Sequence, residues 1–296
     1  MLLKDRMNDY PFSHSERIIV DYILDKQNEI KDYSTKMIAD ETYTSPSTLI
    51  RISKKLGFQG WNDFKDAYLN EVDYLNKHFQ DIDPNFPFTN QDTIMNIASK
   101  IANLHAESAK DTLSLIHHDA LQKAVQILRR SQEVRIFAIS NLNYVGEEFV
   151  FKLNRIQKKA SISLVQDLMF HDAAMMEDDE CAICISYSGE TPHILQVANT
   201  LKENHVPIIA ITSVGDNHLS DMAHVTLHIS TREKSFSKIA GFVSLESISI
   251  ILDTLYSCLF SLNYQANLDY KLKMSKRIEI TRSIDNEIIA EDIKED

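Results

Sequence analysis

The sequence predicts two architectures in one chain: an all-α domain built around a helix-turn-helix, then an α/β domain with a doubly wound parallel sheet. Three observations predict it. From Val134 onward, short apolar runs alternate with stretches of helical periodicity. One such run, Cys181 to Ile185, leads directly into a hydroxyl-rich turn and an amphipathic helix. Near the N-terminus, a Ser-Pro helix start at Ser45 follows the preceding helix after only Thr42-Tyr43-Thr44.

Composition bounds what the chain can be. Its 296 residues suffice for one or two cored domains, and 44% apolar with 25% charged residues is the balance of a soluble globular protein. No apolar run is read as long enough to span a bilayer, and Met-Leu-Leu-Lys-Asp-Arg lacks the apolar core of a signal peptide. A cytoplasmic chain with no membrane partner is therefore expected. Cys181, Cys184 and Cys258 lie in apolar segments and read as reduced core residues. The Cys-x-x-Cys pair sits inside a strand, which speaks against redox or zinc chemistry. The net charge of −12 excludes a protein that coats nucleic acid over its whole surface, but leaves room for a small basic face.

The N-terminal domain, residues 1–77, opens with Ser13 and Glu16 at capping-box spacing, followed by the apolar positions Ile18, Ile19, Tyr22, Ile23 and Leu24. A short helix from Ser34 to Glu41 turns Met37, Ile38 and Ala39 inward. The next helix has Ser45 as N-cap, Pro46 at its first position, Leu49, Ile50, Ile52 and Leu56 along it, and Gly57 at its end. From Thr42 to Asn62 there is no acidic residue, whereas Arg51, Lys54 and Lys55 are basic. Ser47, Arg51, Lys54 and Lys55 lie largely opposite Leu49, Ile52 and Leu56. Ser45, Ser47 and Thr48 stand at the end that a recognition helix points into the major groove of double-stranded DNA. Cap, turn and charge together make Ser45, Ser47, Thr48, Arg51, Lys54 and Lys55 the candidate DNA contacts, with the three basic residues divided between base edges and phosphates.

Ser34-x3-Ile38-Ala39, Ser45-x2-Thr48-x2-Arg51 and Lys54-Lys55-Leu56-Gly57-Phe58-x-Gly60-Trp61-x2-Phe64-Lys65 resemble the N-terminal domain of RpiR-type transcriptional regulators. Tyr43 departs from that pattern, which often has glycine in the turn. Phe58, Trp61 and Phe64 read as a small aromatic core behind the third helix.

Residues 78–123 read as a connector holding two prolines, then a long amphipathic helix from Asp92 to Ile116 with Ile94, Ile97, Ile101, Leu104 and Ala109 apolar, then the start of another helix, Asp119 to Arg129. The α/β domain is assigned to residues 124–264. Its strands are placed at Val134–Ile139, Ile162–Val165, Cys181–Ile185, Ile208–Thr212 and Val225–Ile229. Helices are placed at Val145–Ile156, Leu168–Met176, Pro192–Leu201 and about Phe242–Leu262. Residues 265–296 read as a charged tail, whose end from about Ser275 is a solvated, fraying helix. The first strand leads to Ala138-Ile139-Ser140-Asn141-Leu142-Asn143 rather than Gly-x-Gly-x-x-Gly, which argues against a dinucleotide site.

The third strand is followed by Ser186, Ser188, Gly189 and Thr191. Hydroxyls, a glycine amide and the positive end of a helix dipole then converge at the carboxyl edge of a sheet, which suits an anion. A helix cap alone would need one hydroxyl rather than three. Ser-x-Ser-Gly-x-Thr after an apolar strand resembles the signature of SIS domains, which bind or isomerise phosphosugars. That resemblance implies that Ser186, Ser188, Gly189 and Thr191 hold a phosphate. SIS domains usually carry Gly-x-Gly-x-Ser in the first loop, where this chain has Ala138, Ser140 and Leu142. Asn143 is the adjacent candidate to donate in place of that serine.

RpiR-type regulators join these two domains in this order, and the two resemblances cover nearly all the chain. They imply a transcription regulator without catalysis or cofactor, whose partners are operator DNA and a sugar-phosphate effector. The alternative is a sugar-phosphate isomerase or binding protein with a vestigial DNA-binding domain. For it Glu190 and Glu233 are conceivable bases, but no constellation marks them. His117-His118 and the trio His218, His224, His228 read as surface or loop histidines, with no metal expected. One helix-turn-helix reads few base pairs, so a homodimer or homotetramer is expected, joined through the α/β domains.

Overall fold

A computed structural model describes residues 3–77 and 82–278. The expected charged tail beyond 278 lies outside them, as does part of the connector.

In the N-terminal domain, α1 (Leu3–Asp9), α2 (His14–Lys26), a 3-10 turn (Gln27–Asp32), α3 (Thr35–Glu41), α4 (Pro46–Lys55) and α5 (Trp61–Lys77) close around one core. Met7, Ile19, Ile23, Ile38, Leu49 and Phe64 are fully buried there. Phe58 and Trp61 pack against Phe64 with ring centroids 5.6 and 5.5 Å apart, the aromatic core that the sequence suggests. The α3–α4 pair forms the helix-turn-helix. Its turn is closed by Thr44 N–H donating to Ala39 O at 2.8 Å, with Tyr43 in the left-handed region at φ 50°. A non-glycine residue is tolerated there because its side chain is 97% exposed and meets nothing. One inward assignment fails: Met37 is exposed. It is next to, rather than in line with, the buried pair Ile38 and Ala39, and α3 is short enough to bury only one narrow face.

The C-terminal domain comprises α6 (Ile94–Leu115), α7 (His118–Arg130), β1 (Glu133–Phe137), α8 (Leu142–Asn154), β2 (Lys159–Ile162), α9 (Gln166–Ala174), β3 (Cys181–Ser186), α10 (Pro192–Glu203), β4 (Ile208–Ser213), α11 (His218–Met222), β5 (Val225–Ile229), α12 (Phe242–Leu262) and α13 (Tyr264–Ile278). All pairings are parallel and the strand order is β2-β1-β3-β4-β5. Alternate residues of the central strands serve opposite faces. Cys181, Ile183 and Ile185 pack with α7, α8 and α12, while Ala182 and Cys184 pack with α9, α10 and α11. Burial on both sides explains the unbroken apolar run of β3. It also raises the Cys181 and Cys184 thiols to about 11 and about 12, so neither forms a thiolate near neutrality.

Three elements differ from expectation. β2 lies three residues earlier than the Ile162–Val165 run, because an edge strand pairs on one side only and need not be apolar throughout. Leu164 and Val165 fall in the exposed loop after it. Residues 265–274, expected as charged tail, are helical in α13. The third concerns α12, which by length and composition could cross a bilayer, contrary to the expectation that no run reaches that length. Here it is a core helix, with Val243, Ile248, Ile251, Leu252, Leu255 and Leu259 buried against the domain core. The connector is not loose either. Asn85 is buried, accepts from Lys234 N–H at 2.6 Å through Oδ1 and from Ile239 N–H at 2.9 Å through its carbonyl.

Candidate functional site

On α4 the structure separates the six candidate DNA contacts. Ser45 occupies the N-cap in extended conformation, but its hydroxyl pairs with those of Ser47 at 2.8 Å and Thr48 at 3.0 Å instead of capping backbone. Ser45 and Ser47 are exposed, whereas Thr48 is buried on the core side of the helix. Lys54 is exposed. Arg51 and Lys55 share a partner 35 and 39 residues away: Arg51 Nε donates to Glu16 Oε1 at 2.9 Å and Lys55 Nζ to Oε2 at 2.8 Å. The Glu16 carboxylate, 1% exposed, also accepts from the Ser13 N–H at 2.9 Å and hydroxyl at 2.8 Å. Burial pushes its pKa up, but the hydrogen bonds from Lys55, Ser13 and Arg51 outweigh burial and hold it at about 2. The capping box is present, as its spacing suggests, and the same carboxylate reaches into the helix-turn-helix. Nothing in the sequence marks that second role, since six other acidic residues stand between Glu16 and the acid-free stretch that begins at Thr42.

In the α/β domain β1 and β3 are neighbours, yet α8 leaves β1 toward one face and α10 leaves β3 toward the other. This is the topological switch point, where doubly wound sheets open a crevice. Ser140 and Asn143 come from the first loop and α8; Ser186 to Thr191 come from the second. Ser186 is buried and its hydroxyl pairs with Thr191 Oγ1 at 2.8 Å. Ser188 Oγ accepts from Glu190 N–H at 3.1 Å, which leaves its own proton free to donate. No side chain caps α10, although Thr191 holds the N-cap position, and Pro192 fills the first turn. The capping explanation of these hydroxyls therefore fails, and no side-chain hydrogen bond closes the N-terminus of α10.

One assignment changes. The Gly189 N–H, expected to face a phosphate, turns back to Ser186, at 3.2 Å from both its carbonyl and its hydroxyl. Glycine is required for another reason: at φ 69° a Cβ would lie 2.0 Å from Asn217 Oδ1. Asn217 itself caps α11 by accepting from Ser220 N–H at 3.0 Å. Asn143, expected as a donor, also carries a buried Oδ1 without a hydrogen-bond partner among the described residues, so it offers an unmet acceptor as well.

Both conceivable bases are engaged elsewhere. Glu190 takes His218 N–H at 3.1 Å and His218 Nδ1 at 2.7 Å. Glu233, fully buried, accepts from Val243 N–H and the Ser244 hydroxyl, each at 2.6 Å, and from Lys238 Nζ at 3.0 Å, so it caps α12. His224 Nδ1 accepts from Ile208 N–H at 3.1 Å and His228 Nδ1 meets Ser213 O at 3.1 Å. Burial lowers the pKa of both rings. The sequence did not reveal the role of Tyr187, between the two serines. Its hydroxyl donates to Glu233 O at 2.5 Å and accepts from Glu233 N–H at 3.1 Å.

Comparison with known proteins matches residues 1–73 to the helix-turn-helix domain of the rpiR family and residues 127–258 to the SIS domain. An uncharacterised HTH-type transcriptional regulator from Caldanaerobacter subterraneus subsp. tengcongensis is 24% identical over 275 residues, spanning 93% of this chain and 95% of its own. Among solved structures, the Vibrio vulnificus NanR protein complexed with ManNAc-6P superposes with a TM-score of 0.61 at 21% identity, covering 95% of this chain and all of its own. The sugar isomerase domain of an RpiR transcription factor from Sphaerobacter thermophilus gives 0.55 at 16% identity, covering 61% of this chain and 98% of its own.

Proposed function

We propose that this chain, which belongs to the RpiR-type transcriptional regulators, binds operator DNA through α3–α4 and senses a phosphorylated sugar at the β1–β3 switch point. The observation that carries the sensing role is the second loop. Ser188 and Thr191 stand before an uncapped helix N-terminus, a combination suited to phosphate oxygens. Ser186 braces Thr191 from beneath. The unmet acceptor of Asn143 suits a hydroxyl or amide N–H on the sugar rather than the phosphate. NanR, of similar fold, is complexed with ManNAc-6P, and a sugar phosphate is the ligand class proposed here. Isomerisation is disfavoured because Glu190 and Glu233 are both committed to holding helix starts. As a DNA-binding regulator the chain acts in the cytoplasm, as a dimer or tetramer.

Sensing reaches the connector through the segment after β5. Tyr187 in the phosphate loop grips Glu233, and Asn85 in the connector grips Lys234 and Ile239. Movement of the loop on ligand binding is thereby passed toward the DNA-binding domain.

Two measurements test this reading. Selection of duplexes from a random-sequence pool on the full chain should enrich a sequence of approximate twofold symmetry. Calorimetric titration with hexose, pentose and amino-sugar phosphates should give heat for at least one. A pool that enriches nothing refutes the DNA role, and a panel without heat refutes the sensing role.

A further inference from the structure

The basic face of α4 is not uniform. Glu16 receives four donors on two oxygens, at 2.8 to 2.9 Å, from inside its domain. A buried carboxylate with every partner in place is costly to disassemble, because losing one leaves charge uncompensated away from water. The two cations it holds differ in what remains to them. Lys55 Nζ lies 2.8 Å from both carboxylate oxygens, so its compact ammonium is turned toward Glu16, although the side chain is still 34% exposed. Among the described residues Arg51 is engaged only through Nε, and its side chain is 57% exposed. A guanidinium fixed at Nε still presents its two terminal nitrogens as a rigid fork.

We propose that Glu16 is the positioning residue of the DNA-reading helix: it fixes the Arg51 fork for contact with a base edge or phosphate and keeps Lys55 out of the interface. This rests on α4 entering the major groove. Arg51, Lys54, Ser45 and Ser47 then face DNA, and Lys55 is a brace. The cost of ordering a long arginine side chain is met during folding rather than on binding. Sequence alone treats Arg51, Lys54 and Lys55 as equivalent; the partner on α2 separates them.

The test uses the full chain, the duplex enriched by selection, and a scrambled duplex of equal length. Binding is followed against salt for wild type, Lys54→Ala, Lys55→Met and Glu16→Gln, and Trp61 fluorescence reports whether each variant is folded. Lys54→Ala should lower the salt slope by about 0.9, the value of one phosphate contact, whereas Lys55→Met should leave it at the wild-type value. Glu16→Gln should raise the slope by about 0.9 as Lys55 is released to phosphate, and should lower the preference for the selected duplex at least about fivefold as the Arg51 fork loses its orientation. A fall in slope for Lys55→Met equal to that of Lys54→Ala overturns the proposal. So does a folded Glu16→Gln with wild-type slope and preference. Should Glu16→Gln not fold, the Lys55→Met slope decides alone. Failure of wild type to prefer any duplex would instead count against the DNA role itself.

Discussion

Single residues in this chain hold more than their local segment suggests. Glu16 begins as a helix cap and ends as the anchor of the next helices' charge. Its pKa, held at about 2, lies below the ordinary value of 4.5, so it stabilises the fold fully above pH 4.5. That contribution, of order 2–3 kcal/mol, is lost as pH falls from 4.5 toward 2. Because Trp61 is the one tryptophan and lies in the N-terminal core, urea titration followed by its fluorescence reads this domain alone. The gap between wild type and Glu16→Gln should be widest above pH 5 and close toward pH 2.5; a gap independent of pH contradicts the assignment. Gly189 makes a comparable case. Gly189→Ala must relieve both the left-handed backbone and the contact with Asn217, at a cost of roughly 2–4 kcal/mol, and should lower the melting temperature of the α/β domain by several degrees. An unchanged melting temperature would show that Asn217 moves freely. The glycine was visible in the sequence as a turn residue, but the reason for it was not. Its partner lies in another loop, 28 positions on.

At the scale of elements, hydrophobic period carried most of the reading. β3, β4, β5 and α12 stand within a residue of where their apolar runs place them, because central strands and a core helix are buried broadly enough to print their pattern. β2 was misplaced because an edge strand with Lys159 and Ser161 carries no such run. The six-residue hydroxyl turn was legible, whereas what touches it from the segment after β5 was not, since contacts between loops leave no periodicity. That segment makes a specific prediction. Tyr187→Phe removes the hydroxyl that bridges Glu233 O and N while keeping the ring under Lys238, 4.8 Å from its centroid. The variant should bind a sugar phosphate within about threefold of wild type, and its operator affinity should respond less to that ligand, by 1 kcal/mol or more of coupling. Equal coupling in the two proteins would remove this path from the account.

For the whole molecule, the proposed dimer must set two helix-turn-helix units against each other. Apolar side chains remain exposed on α6, at Ile94, Met95 and Leu113, and at the α12–α13 junction, at Leu262, Tyr264 and Leu272. These surfaces suit a partner copy, and light scattering at micromolar concentration should give a dimer or tetramer mass; a monomer with and without DNA contradicts it. The central claim joins the two domains through a ligand, and one measurement addresses it directly. Fluorescence anisotropy of the selected duplex should be recorded with the full chain while sugar phosphates are added. At least one sugar phosphate should shift operator affinity by about 5- to 150-fold, and the shift should vanish in Ser188→Ala, Thr191→Ala. Operator affinity indifferent to every sugar phosphate, or a shift that persists in that double variant, would contradict the account.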